Sequence, residues 1–145
     1  MTSYGYGQYK KTQVSTVDSG RLIILLYDGA IAFLSKAKDC WDKKDYPGLS
    51  VNVNRGLDII DELNASLNMT EGAEIAENLR RLYQFMSHHL IKARTDNNPA
   101  LINDVLKMLD QLNQAWKEAV QSQEGKEVLS KSQPVVRPST KVMTA

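Results

Sequence analysis

LIILLYDGAIAFL, running from Leu22 to Leu34, is apolar throughout except at Asp28 and Gly29. A helix on the surface of a globular protein needs an apolar stripe only a little over 100° wide, and this run carries aliphatic residues well outside one. Stepping about 100° per residue from Leu22, the side chains of Leu22, Ile23, Leu26, Tyr27, Ala30, Phe33, Leu34, Ala37, Cys40 and Trp41 share one face, the core stripe. Ile24 and Ile31 fall instead at about 200° and 180°, and Leu25 and Ala32 at about 300° and 280°. A widened stripe accounts for one of these pairs but not for both, so one flank is expected to be covered by something other than the bundle core.

Three further segments carry the helical period, and none alternates with the period of two that marks a half-buried strand. The first helix is expected from Asp18 or Ser19, as capping residues, to about Lys44. Asp45-Tyr46-Pro47 opens a second that runs to about Leu67, since proline is tolerated where the first N–H is unpaired anyway. Its inward face reads Leu49, Val53, Leu57, Ile60, Leu63 and Leu67, with Asn64 on the same face and Gly56 allowing close backbone approach. Thr70 is the expected cap of a third helix with the stripe Ile75, Leu79, Leu82, Tyr83, Met86, Leu90 and Ala93. Asn98-Pro99 opens a fourth, whose apolar positions run from Leu101 to Val120. Short breaks turn each helix back beside its predecessor, which predicts an all-α, antiparallel up-down-up-down four-helix bundle. Residues 1–17 form an N-terminal arm, 18–122 the bundle domain, and 123–145, polar with Pro134 and Pro138, a disordered C-terminal tail.

Composition narrows the function. A formal charge of +1 over 145 residues offers no positive field for polyphosphates, so no nucleic acid is expected. No apolar run approaches the ~20 residues of a membrane span, the lone Cys40 closes no internal disulfide, and no signal-peptide pattern opens the chain. A cytoplasmic protein without membrane insertion is the expectation. A di-iron site in a bundle needs two inward Glu-x-x-His pairs, and His88 and His89 are the only histidines. No metal, cofactor or catalytic residue is therefore expected, and Cys40 reads as a small buried hydrophobe.

Two polar positions admit a functional reading. His89 with Lys92 and Ala93 approximates the His-x-x-Lys-Gly of histidine phosphotransfer bundles, although the small residue is not glycine and His89 projects to the rim of the core stripe; a solvated histidine is the plainer alternative. Asn64 must find partners, because an unmatched buried amide costs about 1 to 3 kcal/mol. It either ties two helices together or grips a partner's backbone. Asp28-Gly29 reads as a close helix contact, since a lone carboxylate lacks a second acid or base.

Burying Ile24, Leu25 and Ile31 is worth about 1.5 to 3 kcal/mol each, whereas association costs about 4 to 15 kcal/mol. The patch cannot hold a partner unaided, so a partner must touch several faces of the bundle, as an extended or partly helical segment can. The chain's own arm, with Tyr4, Tyr6 and Tyr9, is the other candidate cover.

LYDGAIAFL (Leu26 to Leu34), DIIDELNASLN (Asp58 to Asn68) and GAEIAENLRRLYQFM (Gly72 to Met86) resemble, in order and spacing, the FliS family of flagellar secretion chaperones. The likeness extends from YKKTQV (Tyr9 to Val14) to WKEAV (Trp116 to Val120), with Ala73 standing where a second glycine is common. This resemblance implies a non-enzymatic, cytoplasmic bundle that binds the disordered C-terminal segment of flagellin, prevents premature polymerisation and presents the cargo to a flagellar export gate component. It also implies that YKKTQV lies over a hydrophobic site that cargo can claim. The candidate partner-binding residues are Tyr9 and Val14 on the arm, Ile24, Leu25, Tyr27 and Ile31 on the first helix, and Asn64 and Leu67 on the second. The rivals are phosphotransfer through His89 and a helical adaptor for another partner.

Overall fold

The structure, a computed structural model, describes residues 16–122 together with 127, 131 and 132. Its four long helices are α1 (Thr16–Asp42), α2 (Tyr46–Ala65), α3 (Ala73–Thr95) and α4 (Pro99–Gln121). α1 packs on α2 and α4, and α3 closes the ring by packing on the same two helices. The backbones of the diagonal pairs do not meet. Antiparallel register between α1 and α2 is fixed by two close approaches. A Cβ added at Gly29 would come 3.2 Å from Ile59 Cδ1, and one added at Gly56 would come 2.7 Å from Leu34 Cδ2. Gly56 thus lets Leu34 settle against the α2 backbone, the close approach anticipated from the sequence.

The two tight turns carry the caps their sequences advertise. Asp45 Oδ1 accepts from the Gly48 N–H at 3.0 Å ahead of Pro47, and Asn98 Oδ1 accepts from the Ala100 N–H at 3.1 Å ahead of α4. Trp41 and Tyr46 meet edge to face across the α1–α2 turn, with ring centroids 5.7 Å apart. The α2–α3 turn departs from expectation. Thr70 does not cap α3; Asn68 Oδ1 instead accepts from the N–H groups of Thr70 and Glu71, and α3 starts later, behind Gly72, which makes no side-chain cap. Ala73 takes φ 47, a left-handed conformation that glycine tolerates and alanine resists.

The core follows the predicted stripes with instructive exceptions. Ile23, Leu26, Tyr27, Ala30, Phe33, Leu34 and Ala37 of α1 are buried, as are Leu79, Tyr83, Met86, Leu90 and Ala93 of α3. Ile59 joins the core as the residue facing Gly29, while Leu57 and Leu67 are only half-buried. On α3, Ala76 is buried and Ile75 is exposed, the reverse of the expected phase at that end.

At the centre, Tyr27 of α1 and Tyr83 of α3 join hydroxyl to hydroxyl at 2.7 Å across the bundle diagonal. Burial lifts the Tyr27 phenol to about 12, against smaller lowering by its bond to Tyr83 and by the nearby Trp116 indole. The indole N–H of Trp116 itself meets no acceptor at hydrogen-bonding geometry. Burial also holds Tyr83 well above the ordinary phenol value, reinforced by its proximity to Tyr27.

Removing one hydroxyl strips the other of this buried partner, so Tyr27→Phe and Tyr83→Phe are each expected to lower unfolding free energy by about 1 to 3 kcal/mol. The double variant should lose less than the two losses added, measured as a double-mutant cycle in urea. Because both phenols stay protonated in the folded chain above the pH at which they ionise when unfolded, near 10, their contribution is complete below that pH and is lost as pH rises toward 12. The urea midpoint should therefore fall between pH 8 and pH 11, and fall less in the double variant. Relieving the left-handed alanine, Ala73→Gly should raise stability by about 0.5 to 1 kcal/mol in the same assay.

Candidate partner-binding surface

The α1 phase set by the core turns Leu25 outward, where 60% of its surface is exposed. Ile24 and Ile31 are half-buried, packed against the edge of the core. Between these two turns, Asp28 Oδ1 accepts from Asn113 Nδ2 of α4 at 2.8 Å. Asn113 is 2% exposed, and its own Oδ1 has no partner. Asp28 is therefore an inter-helix tie, and with Gly29 seated on Ile59 the Asp28-Gly29 pair serves close helix packing on two sides at once. Asn113 escaped the sequence reading because it lies within the α4 stripe, four residues after Leu109 and three before Trp116, where a polar residue looks like an interruption.

Tyr27 differs from its neighbours. It is 0% exposed, and its hydroxyl is committed to Tyr83, so in this arrangement it supports the surface from beneath and offers a partner nothing to touch. Tyr9 and Val14 lie outside the described residues.

On α2, Asn64 and Leu67 sit at the same end of the bundle as Leu25. Ile59 faces α1 through Gly29, and Asn64, five residues on and so about 140° further round, is turned away from α1. Its Oδ1 is buried without a hydrogen-bond partner, so the amide oxygen is not the tie between helices that one reading of the sequence allowed. Leu67 is half-buried against the core edge. Asn64 and Leu67 make a second candidate surface on α2, at the same end of the bundle as the first.

Further exposed apolar residues lie on other sides of the bundle. Phe85 of α3 is 48% exposed, with Ile75 and Ile91 also exposed on the same helix and Val51 exposed on α2. Leu82, expected in the core, is half-exposed at the edge of the α3 stripe.

His89 lies beside Phe85. Its Nε2 stands 3.2 Å from Asp104 Oδ2 of α4, and its ring is tilted by 32° on Phe85 at 4.5 Å between centroids. A phosphoacceptor needs an open ring nitrogen, whereas this one faces a carboxylate that repels a phosphoryl group. Among the described residues, no three His, Cys, Asp or Glu side chains converge as a metal site would require, and no helix is long and apolar enough to cross a membrane. Cys40 is half-buried, and its thiol is pushed up, first by desolvation and then by the Asp45 carboxylate, which keeps it from the thiolate form that reacts.

Comparison with known proteins agrees with the sequence motifs. The chain is 31% identical over 112 residues to the flagellar secretion chaperone FliS of Vibrio cholerae, covering 74% of this chain and 82% of that one. It is 31% identical over 109 residues to FliS of Salmonella typhimurium, covering 74% and 81%. With FliS of Bacillus subtilis the identity is 28% over 118 residues, covering 81% and 87%. With the family model for the flagellar protein FliS matching residues 2–123, from the arm through the end of α4, the chain belongs to the FliS family of flagellar secretion chaperones.

Proposed function

We propose that this protein is an export chaperone that binds the disordered C-terminal segment of flagellin in the cytoplasm, keeps it from polymerising and delivers it to a component of the flagellar export gate. The observation that carries this reading is the outward Leu25, flanked by half-covered Ile24 and Ile31, on a helix whose phase is locked by its buried face. These residues are too few to hold a partner alone, at about 1.5 to 3 kcal/mol gross for each fully buried side chain against about 4 to 15 for association.

The distribution of the other exposed apolar residues supplies what is missing. Val51 lies on α2, and Ile75, Phe85 and Ile91 lie on α3, the helix diagonal to α1. A compact partner docking on one side reaches only one of these sets. A disordered segment that wraps the bundle reaches several, and its ordering cost is offset by the summed burial. The family relationship supports the flagellar setting and a flagellin-type client.

Leu25→Asp tests this cleanly, because an exposed side chain changes stability little. Its melting temperature should stay within a few degrees of wild type, while calorimetric titration with a flagellin C-terminal peptide should show affinity lowered at least tenfold. No saturable heat with the wild-type chain, or equal affinity in the variant, counts against the proposal.

A further inference from the structure

Beyond α4 the chain returns to the bundle. Ser132, ten residues after the C-cap Ser122, is helical and 1% exposed. Its carbonyl accepts from the backbone N–H of Asn68 in the α2–α3 turn at 2.8 Å. Gly72 in the same turn is buried, and a Cβ there would come 2.6 Å from Asn68 O, 2.7 Å from Ala76 Cβ and 3.0 Å from Ser132 Cα, so glycine lets the turn close with the Ser132 backbone at contact distance. Ala76, one turn into α3, is fully buried yet stands outside the central hydrophobic cluster. Asn68 N–H, Gly72 and Ala76 therefore form a notch at the α2–α3 end that takes a backbone with a small residue, Ser132, at the point of contact. Its occupant in this structure is the chain's own C-terminal segment, which lies beyond the residues that match the family model.

The notch adjoins the second candidate surface. Asn68 follows Leu67 directly, and Asn64, with its unpartnered amide oxygen, stands one turn earlier on α2. A foreign segment reaching Asn64 and Leu67 along this end meets the backbone carrying Ser132. We propose that the Ser132 segment is a built-in competitor, a C-terminal clasp that holds the α2–α3 end and must be displaced when cargo claims it. This inference rests on the export-chaperone reading for the identity of the cargo, but the docking of the clasp does not.

The contact includes a backbone hydrogen bond and a small-residue fit. A longer segment that buries more apolar surface can take its place. A clasp tethered by ten residues competes at high effective concentration, which raises the affinity that cargo must reach.

Ser132→Glu in the full chain tests the clasp, since an ionised carboxylate is not accommodated at a buried position beside Gly72. A chain ending at residue 126 serves as the second variant, with circular dichroism verifying that both remain helical. Amide exchange read by NMR should be at least tenfold faster at Asn68 in both variants than in wild type. Calorimetry with the flagellin C-terminal peptide should show affinity raised about fivefold or more, and added synthetic peptide of residues 123–145 should reverse the gain. Unchanged Asn68 exchange in both variants overturns the docking. Faster exchange with unchanged peptide affinity overturns the competition and leaves a purely structural contact. A peptide bound by none of the three chains overturns the export-chaperone reading and the competition with it, while Asn68 exchange still reports whether the clasp docks.

Discussion

The hydroxyl pair of Tyr27 and Tyr83 is the constraint on which the surface depends. α1 and α3 do not meet through their backbones, so side chains alone set their mutual phase. Leu25 lies about 200° around α1 from Tyr27. Rotating α1 far enough to bury Leu25 would gain about 1.5 to 3 kcal/mol, but it would separate two buried hydroxyls at about 1 to 3 kcal/mol each. It would also detach Asp28 from Asn113 and Gly29 from Ile59. The bundle cannot cover that flank itself without loosening its own centre.

This arrangement explains what the LYDGAIAFL motif records. Leu26, Tyr27, Ala30, Phe33 and Leu34 are core, Asp28 reaches α4, and Gly29 admits α2. Phe33 is further framed by Lys36 and Arg55, whose charged groups stand 5.6 and 5.7 Å from its ring centre. The motif that marks the family is thus mostly architecture. Leu25, just before the motif, faces the outside, and Ile31, within it, stays half-exposed at the core edge, because the architecture leaves them no other place. A sequence likeness carried by core residues speaks strongly for the fold and only indirectly for the surface.

That division accounts for what was legible in the sequence. Four helices, their order and two of three turns followed from the 3.6-residue period and from Asp45-Tyr46-Pro47 and Asn98-Pro99, where a side-chain acceptor and a proline act locally. The outward flank at Leu25 was legible too, because angular position on a helix needs no tertiary information. The role of Tyr27 was not: an inward tyrosine reads alike whether its hydroxyl reaches a surface or a partner tyrosine on a helix 56 residues away. Asn113 and Ile59 were missed for the same reason, each being defined by one residue on another helix. Ile75 and Ala76 exchanged places because the period is least informative in a first turn, and α3 starts two residues later than expected, behind Gly72 in place of Thr70.

The late start of α3 marks the one end of the bundle where local preferences are overridden. The other two turns place φ > 0 at Lys44 and Asn97 beside well-formed caps. The α2–α3 turn instead holds an alanine at φ 47, a helix start without a side-chain cap, and a nearby amide oxygen without a donor. Each is unfavourable alone, and together they are the pattern expected where a surface is kept for exchange of partners more than for stability. Local strain lowers the barrier to rearranging the turn, and an unpaired acceptor rewards a segment that brings an N–H. The Ser132 carbonyl takes up the Asn68 N–H but leaves Asn64 Oδ1 unpaired. A longer foreign segment can take the same N–H and bury more apolar surface besides, and that difference is the physical basis on which cargo would prevail over the clasp.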